Sequence, residues 1–144
     1  MALYIVVGPP GAGKTTWVTE HAKDGDVVID LDRIASALTV QGADGHTHGR
    51  TVRSVAHRAR LTAISSALRY VDKVDVFVIH TKPRPEAMEK YARHNAQVIT
   101  IDPGQDVVMQ RLAEQRSGVA KDVAQQWYAE RDATPANVQP SREW

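Results

Sequence analysis

The chain has 144 residues, a formal net charge of +1 and no cysteine. That length suits one domain with a real core and leaves no room for a second enzymatic module. The missing cysteine excludes disulfides, thiolate metal sites and cysteine nucleophiles. The near-neutral balance means that any nucleic-acid signal must be local.

In chain order, Leu3–Val7 is an apolar run that reads as a buried strand. It feeds Gly8-Pro9-Pro10-Gly11-Ala12-Gly13-Lys14-Thr15, which fits G-x-x-x-x-G-K-[ST] at every fixed position, and Lys14–His21 continues as a helix. Strand, glycine loop and helix together predict a phosphate cradle, in which backbone N–H groups converge on phosphate oxygens and the helix dipole adds to them. The expected cradle comprises Gly8, Pro9, Gly11, Ala12, Gly13 and Thr16. Lys14 would reach the β- and γ-phosphates and act in catalysis, while the Thr15 hydroxyl would ligate Mg²⁺. ATP and Mg²⁺ are the cofactors this implies. A cleavable signal would destroy a motif beginning at residue 8, and no apolar run approaches a membrane span. A cytoplasmic protein without a membrane partner is expected.

Val27–Asp30 is the second predicted strand and Arg33–Leu38 the next helix. Alternation along a strand would put Asp30 and Asp32 on one side of the carboxyl edge. Asp32 is the expected general base, with Asp30 as a Mg²⁺-water ligand or substrate-orienting group. The competing role for Asp32 is N-cap of the following helix. Val40–Gly49 reads as an exposed mobile loop, and its His46-x-His48 pair lacks a third metal ligand. Thr51–Tyr70 is a long predicted helix. From Gly42 to Tyr70 the only acid is Asp44, against Arg50, Arg53, Arg58, Arg60 and Arg69. Arg50, Arg53, His57 and Arg60 recur at helical spacing, a basic face suited to phosphate contacts, with Arg50 and Arg53 as substrate-binding candidates. An ordinary solvated helix surface is the alternative.

The remaining predicted elements are strand Val74–His80, helix Pro85–His94, strand Val98–Asp102, helix Asp106–Gln115, a lid segment Gln115–Ala120 and helix Lys121–Arg131. Residues 1–132 are read as the domain and 133–144 as a loosely attached tail. Apolar strands separated by helices predict an α/β, three-layer fold: a parallel sheet of four to five strands flanked by helices, with nucleotide at the carboxyl ends. Arg111 and Arg116 would close over ATP, Arg116 also stabilising the transferring phosphoryl group. Their competing role is a solvated helix face paired with Glu114 or Asp106. Thr81-Lys82 begins a GTPase base-reading motif that then lacks its Asp. An AAA-type ATPase would call for a longer chain and a strand ending in Asp-Glu, whereas Val76–His80 ends in His. The balance favours a kinase.

These residues resemble the phage polynucleotide kinase family of P-loop kinases over about residues 1–131. Gly13-Lys14-Thr15-Thr16-Trp17 is similar to that family's loop and first helix, and Asp32 falls at its general base. Val78-Ile79-His80-Thr81 with Pro85-Glu86 resembles its next strand and helix start. Arg111 and Arg116 before Ser117-Gly118 resemble its lid, and Trp127-Tyr128 its final helix. Where the family usually carries an Arg and a paired Asp, this chain has Ala35 and His80. The double change implies a substrate pocket rebuilt for another hydroxyl, with His80 as a substrate-binding candidate and Arg33 as a replacement cation. The resemblance implies ATP-dependent transfer to a hydroxyl of nucleic acid (a 5′-end or a hydroxymethylated base) or of a nucleotide. A small-metabolite kinase of shikimate or gluconate type and a P-loop ATPase switch are the other readings.

Overall fold

Four parallel strands, β1 (Leu3–Val7), β2 (Val27–Ile29), β3 (Val76–His80) and β4 (Gln97–Thr100), pair in the order β2-β3-β1-β4. The computed structural model describes residues 1–40, 48–115 and 118–132. Its helices are α1 (Lys14–His21), α2 (Leu31–Ala37), α3 (Arg50–Ala67), α4 (Pro85–Ala92), α5 (Gln105–Gln115) and α6 (Gly118–Asp132). A 3₁₀ turn, Leu68–Tyr70, closes α3. Most of the 40–49 loop, Arg116 and the 133–144 tail lie outside the described residues. Among the described residues, no helix is long and apolar enough to cross a membrane.

The apolar strands are explained by burial on both faces. Alternate side chains of the central strands enter separate cores. Val6, Phe77 and Ile79 pack with Val18 of α1, Val108 and Leu112 of α5, and Tyr128 of α6. Ile5, Val76 and Val78 pack on the other side with Ile34 of α2, Ile64 of α3 and Tyr91 of α4. Each large apolar side chain buried this way contributes about 1.5–3 kcal/mol. The result is the three-layer fold expected from the sequence, with four strands among the described residues.

Register places the site. Val7 lies opposite His80 on one side and Thr100 on the other, and Ile101 N donates to Val7 O at 2.7 Å. The glycine loop therefore leaves the sheet between the ends of β3 and β4, at the carboxyl edge.

Two boundaries correct the sequence reading. β2 stops at Ile29 and α2 starts at Leu31, because the Asp30 carboxylate accepts the Asp32 N–H at 3.1 Å and caps the helix. The cap is thus Asp30, not Asp32, and helical geometry rather than strand alternation relates the two carboxylates. The second correction concerns the predicted lid: its residues Gly118–Ala120 form the first turn of α6.

Candidate active site at the carboxyl edge

Gly8 is buried where a Cβ would stand 2.3 Å from Ile101 O, so only glycine lets the end of β1 stay against the β4 extension. Gly13 caps α1 with φ of 102°, a left-handed conformation that suits glycine, and makes no side-chain cap. A helix N-terminus opened by glycine in this way favours an anion. Lys14 Nζ donates to Gly8 O, to Pro9 O at 3.4 Å and to Thr81 Oγ1 at 3.4 Å. Arg111, reaching over from α5, donates to Gly11 O at 3.1 Å and to Ala12 O at 3.5 Å. Thr81 is itself fixed from α6, since Trp127 Nε1 donates to its carbonyl at 2.9 Å.

This loop forms one wall of an open cleft of about 1540 Å³. Gly11, Ala12, Gly13, Lys14, Thr15 and Thr16 line it, and Arg111 lies beside them. Gly8 and Pro9 are buried behind the loop and support it from below. Asp30, Asp32, Arg53, His57, Arg60 and His80 line the same cleft. Burial, and then the charge of Asp32, push the Asp30 carboxyl above the usual carboxylate range; the Asp32 N–H, Lys14 and Arg33 act against that.

His80 is gripped from two sides. Arg60 Nη2 lies 3.0 Å from His80 Nδ1, and Tyr91 Oη lies 2.8 Å from His80 Nε2. A guanidinium has only donors, so Nδ1 must accept, the proton sits on Nε2, and Nε2–H donates to Tyr91. Burial, the Arg60 charge and the Lys14 charge push the imidazole down to about 3, so it stays neutral at physiological pH. Arg60 Nη2 also donates to Ile79 O at 2.9 Å. Burial lowers the Arg60 pKa, though arginine remains charged.

Of the predicted residues, Arg33 and Arg50 are exposed and outside the cleft lining. The cation beside His80 comes from α3 at Arg60, not from Arg33 in α2. Arg60, His57 and Tyr91 join the site beyond the residues chosen from the sequence. Arg53, His57 and Arg60 at i, i+4 and i+7 carried the signal, since that spacing keeps them on one face. Nothing local marked Tyr91, which belongs to the apolar side of α4 and reaches His80 only through tertiary packing.

A family model described as an AAA domain matches residues 3–131. The chain belongs to the AAA-domain family. Chain length and the missing Asp-Glu argued from sequence against an AAA-type ATPase; the family is nevertheless described as an AAA domain, and His80 does end β3. No curated protein matches the sequence. Among solved structures, this AAA-domain protein is similar to a Chloroflexus aurantiacus protein provisionally named a kinase, with 19% identity, a TM-score of 0.60 and coverage of 85% of this chain and 74% of that one. It is also similar to a chain of the Pnkp1/Rnl/Hen1 RNA repair complex, with 12% identity, a TM-score of 0.62 and coverage of 98% and 48%. A second Pnkp1/Rnl/Hen1 complex gives 14% identity, a TM-score of 0.54 and coverage of 76% and 38%. The chain thus spans less than half of each repair-complex chain it matches. At such identities the likeness is one of fold alone.

Proposed function

We propose that this AAA-domain protein transfers the γ-phosphate of ATP to a hydroxyl of a nucleic acid or nucleotide. The carrying observation is that the phosphate loop and the Asp30–Asp32 pair open onto one cleft together with the basic face of α3. Lys14 and the first-turn N–H groups of α1 bind the phosphates, with Arg111 lying across the loop. Asp32 takes the acceptor proton as the new O–P bond forms and the bond to the ADP oxygen breaks. Asp30, with its raised pKa, orients the acceptor. Thr15 and Asp30 present hard oxygen donors on the same cleft, a set that fits Mg²⁺. Bound there, the ion would neutralise charge on the phosphate oxygens. Arg116, between α5 and α6 in the chain, is the proposed lid cation, and Arg53 the proposed backbone contact. The similarity to chains of RNA repair complexes supports a nucleic-acid acceptor.

The test is label transfer from γ-labelled ATP with Mg²⁺ to 5′-hydroxyl DNA and RNA, hydroxymethylated DNA, nucleoside monophosphates and a metabolite extract. Label on a polynucleotide or nucleotide is expected. Label confined to hydroxy acids would turn the reading to a metabolite kinase. Release only as free phosphate would turn it to an ATPase switch.

A further inference from the structure

The guanidinium of Arg60 is held in an unusual electrostatic position for a half-buried cation. Its side-chain partners are not carboxylates: Nη2 is spent on the Ile79 carbonyl and on the neutral His80 ring. Its Nε is buried with no hydrogen-bond partner among the described residues. Asp30 acts on it through space but makes no hydrogen bond to it. A buried donor left unmade costs free energy, about 1–3 kcal/mol and more on a charged group. With no carboxylate hydrogen-bonded to it, the guanidinium keeps its charge for whatever enters the cleft. Arg60, His80 and Tyr91 all line the cleft that also holds Lys14 and Asp32. Tyr91 accepts the His80 proton, which leaves its own O–H available as a donor.

We infer that Arg60 is the specificity anchor of the acceptor site, reading an oxyanion carried by the acceptor next to its reacting hydroxyl, and that His80 is the positioning residue that aims Arg60 without neutralising it. A carboxylate at position 80 would cancel the charge; a neutral imidazole orients the guanidinium and keeps its charge for the ligand. A charged N–H donor suits phosphate and carboxylate oxygens alike. This inference rests on the kinase reading above for the word acceptor, and its test separates the two.

Three acceptors with a free hydroxyl serve as probes: a thymidine dinucleoside monophosphate, gluconate and uncharged thymidine. Binding of each to the full chain is measured with a non-hydrolysable ATP analogue and Mg²⁺, and transfer is measured separately with γ-labelled ATP. Wild type is expected to bind at least one anionic probe about ten- to a hundredfold more tightly than thymidine, the range expected of a charge-assisted contact. Arg60→Gln should erase that preference with the affinity for the ATP analogue held, which separates loss of the anchor from any general loss of stability. Arg60→Lys should restore part of the preference, a rescue that a merely structural role would not give. The phosphate and carboxylate arms tell which oxyanion is read. An anion preference that survives Arg60→Gln, or the absence of any preference in wild type, overturns the inference even where transfer is seen. An Arg60-dependent preference in binding without transfer upholds the anchor and sinks the kinase reading instead.

Discussion

The two walls of the cleft are built by opposite means. On the nucleotide side, most of the groups that line it come from one short segment, Pro10 to Trp17, with Arg111 reaching over from α5. On the facing side, Asp30 and Asp32 stand at the start of α2, Arg53 and Arg60 on α3, His80 at the end of β3 and Tyr91 on α4. A wall made of one short segment is set by backbone conformation and tolerates little change. A wall made of four elements is set by packing, so its chemistry can be altered one side chain at a time while the loop opposite stays intact. His80 at the end of β3 and the cation that α3 sets beside it belong to that second wall.

The sharpest way to break this contrast is to show that the walls do not act separately. Asp32→Asn should lower transfer about 10²–10⁴-fold, the range for loss of a general base, and leave ATP affinity unchanged in equilibrium binding. Loss of ATP binding in that variant would mean that the walls are one unit. Lys14→Ala should lower transfer by about 10²–10³-fold, as for removal of one transition-state donor, and here ATP affinity should fall with it. Acceptor affinity should be unchanged.

Smaller effects sharpen the contrast through stability. Gly8→Ala forces a methyl group against Ile101 O and should cost about 1–3 kcal/mol in urea denaturation, with weakened ATP binding from a displaced loop. His80→Gln should instead act through pH. The folded His80 pKa is depressed from 6.5 to about 3, so between those values the unfolded chain binds a proton that the folded one refuses. Stability due to this site is therefore fully present above about 6.5 and is lost as pH falls toward 3. Denaturation midpoints measured down that window should decline less steeply in His80→Gln than in wild type. An unchanged slope would mean that the imidazole is not held neutral.

Local signals carried far in this protein, and their limits are instructive. β1 and α1 run over Leu3–Val7 and Lys14–His21 as the apolar run and the glycine motif predict, because each is specified by neighbouring residues. At Asp30 the local rule misled. Two acids near a strand end read as strand alternation, with an Asp32 cap only as the competing role, yet Asp30 takes the Asp32 N–H and the helix starts at Leu31. On α3, periodicity grouped Arg50 with Arg53, His57 and Arg60, but only packing against the end of β3 decides which part of that face meets the cleft. Arg50, at the first residue of the helix, falls outside it.

By itself, then, the sequence determined the phosphate loop, the parallel α/β layering and the presence of two acids near the loop. Each depends on the order of adjacent residues or on a short period along the chain. Only the tertiary structure decided which acid caps α2, that Arg60 rather than Arg33 stands beside His80, and that Tyr91 completes the group. The two contacts of His80 join residues 20 and 11 positions apart, and only the packing of α3 and α4 on one face of the sheet brings them within hydrogen-bonding distance.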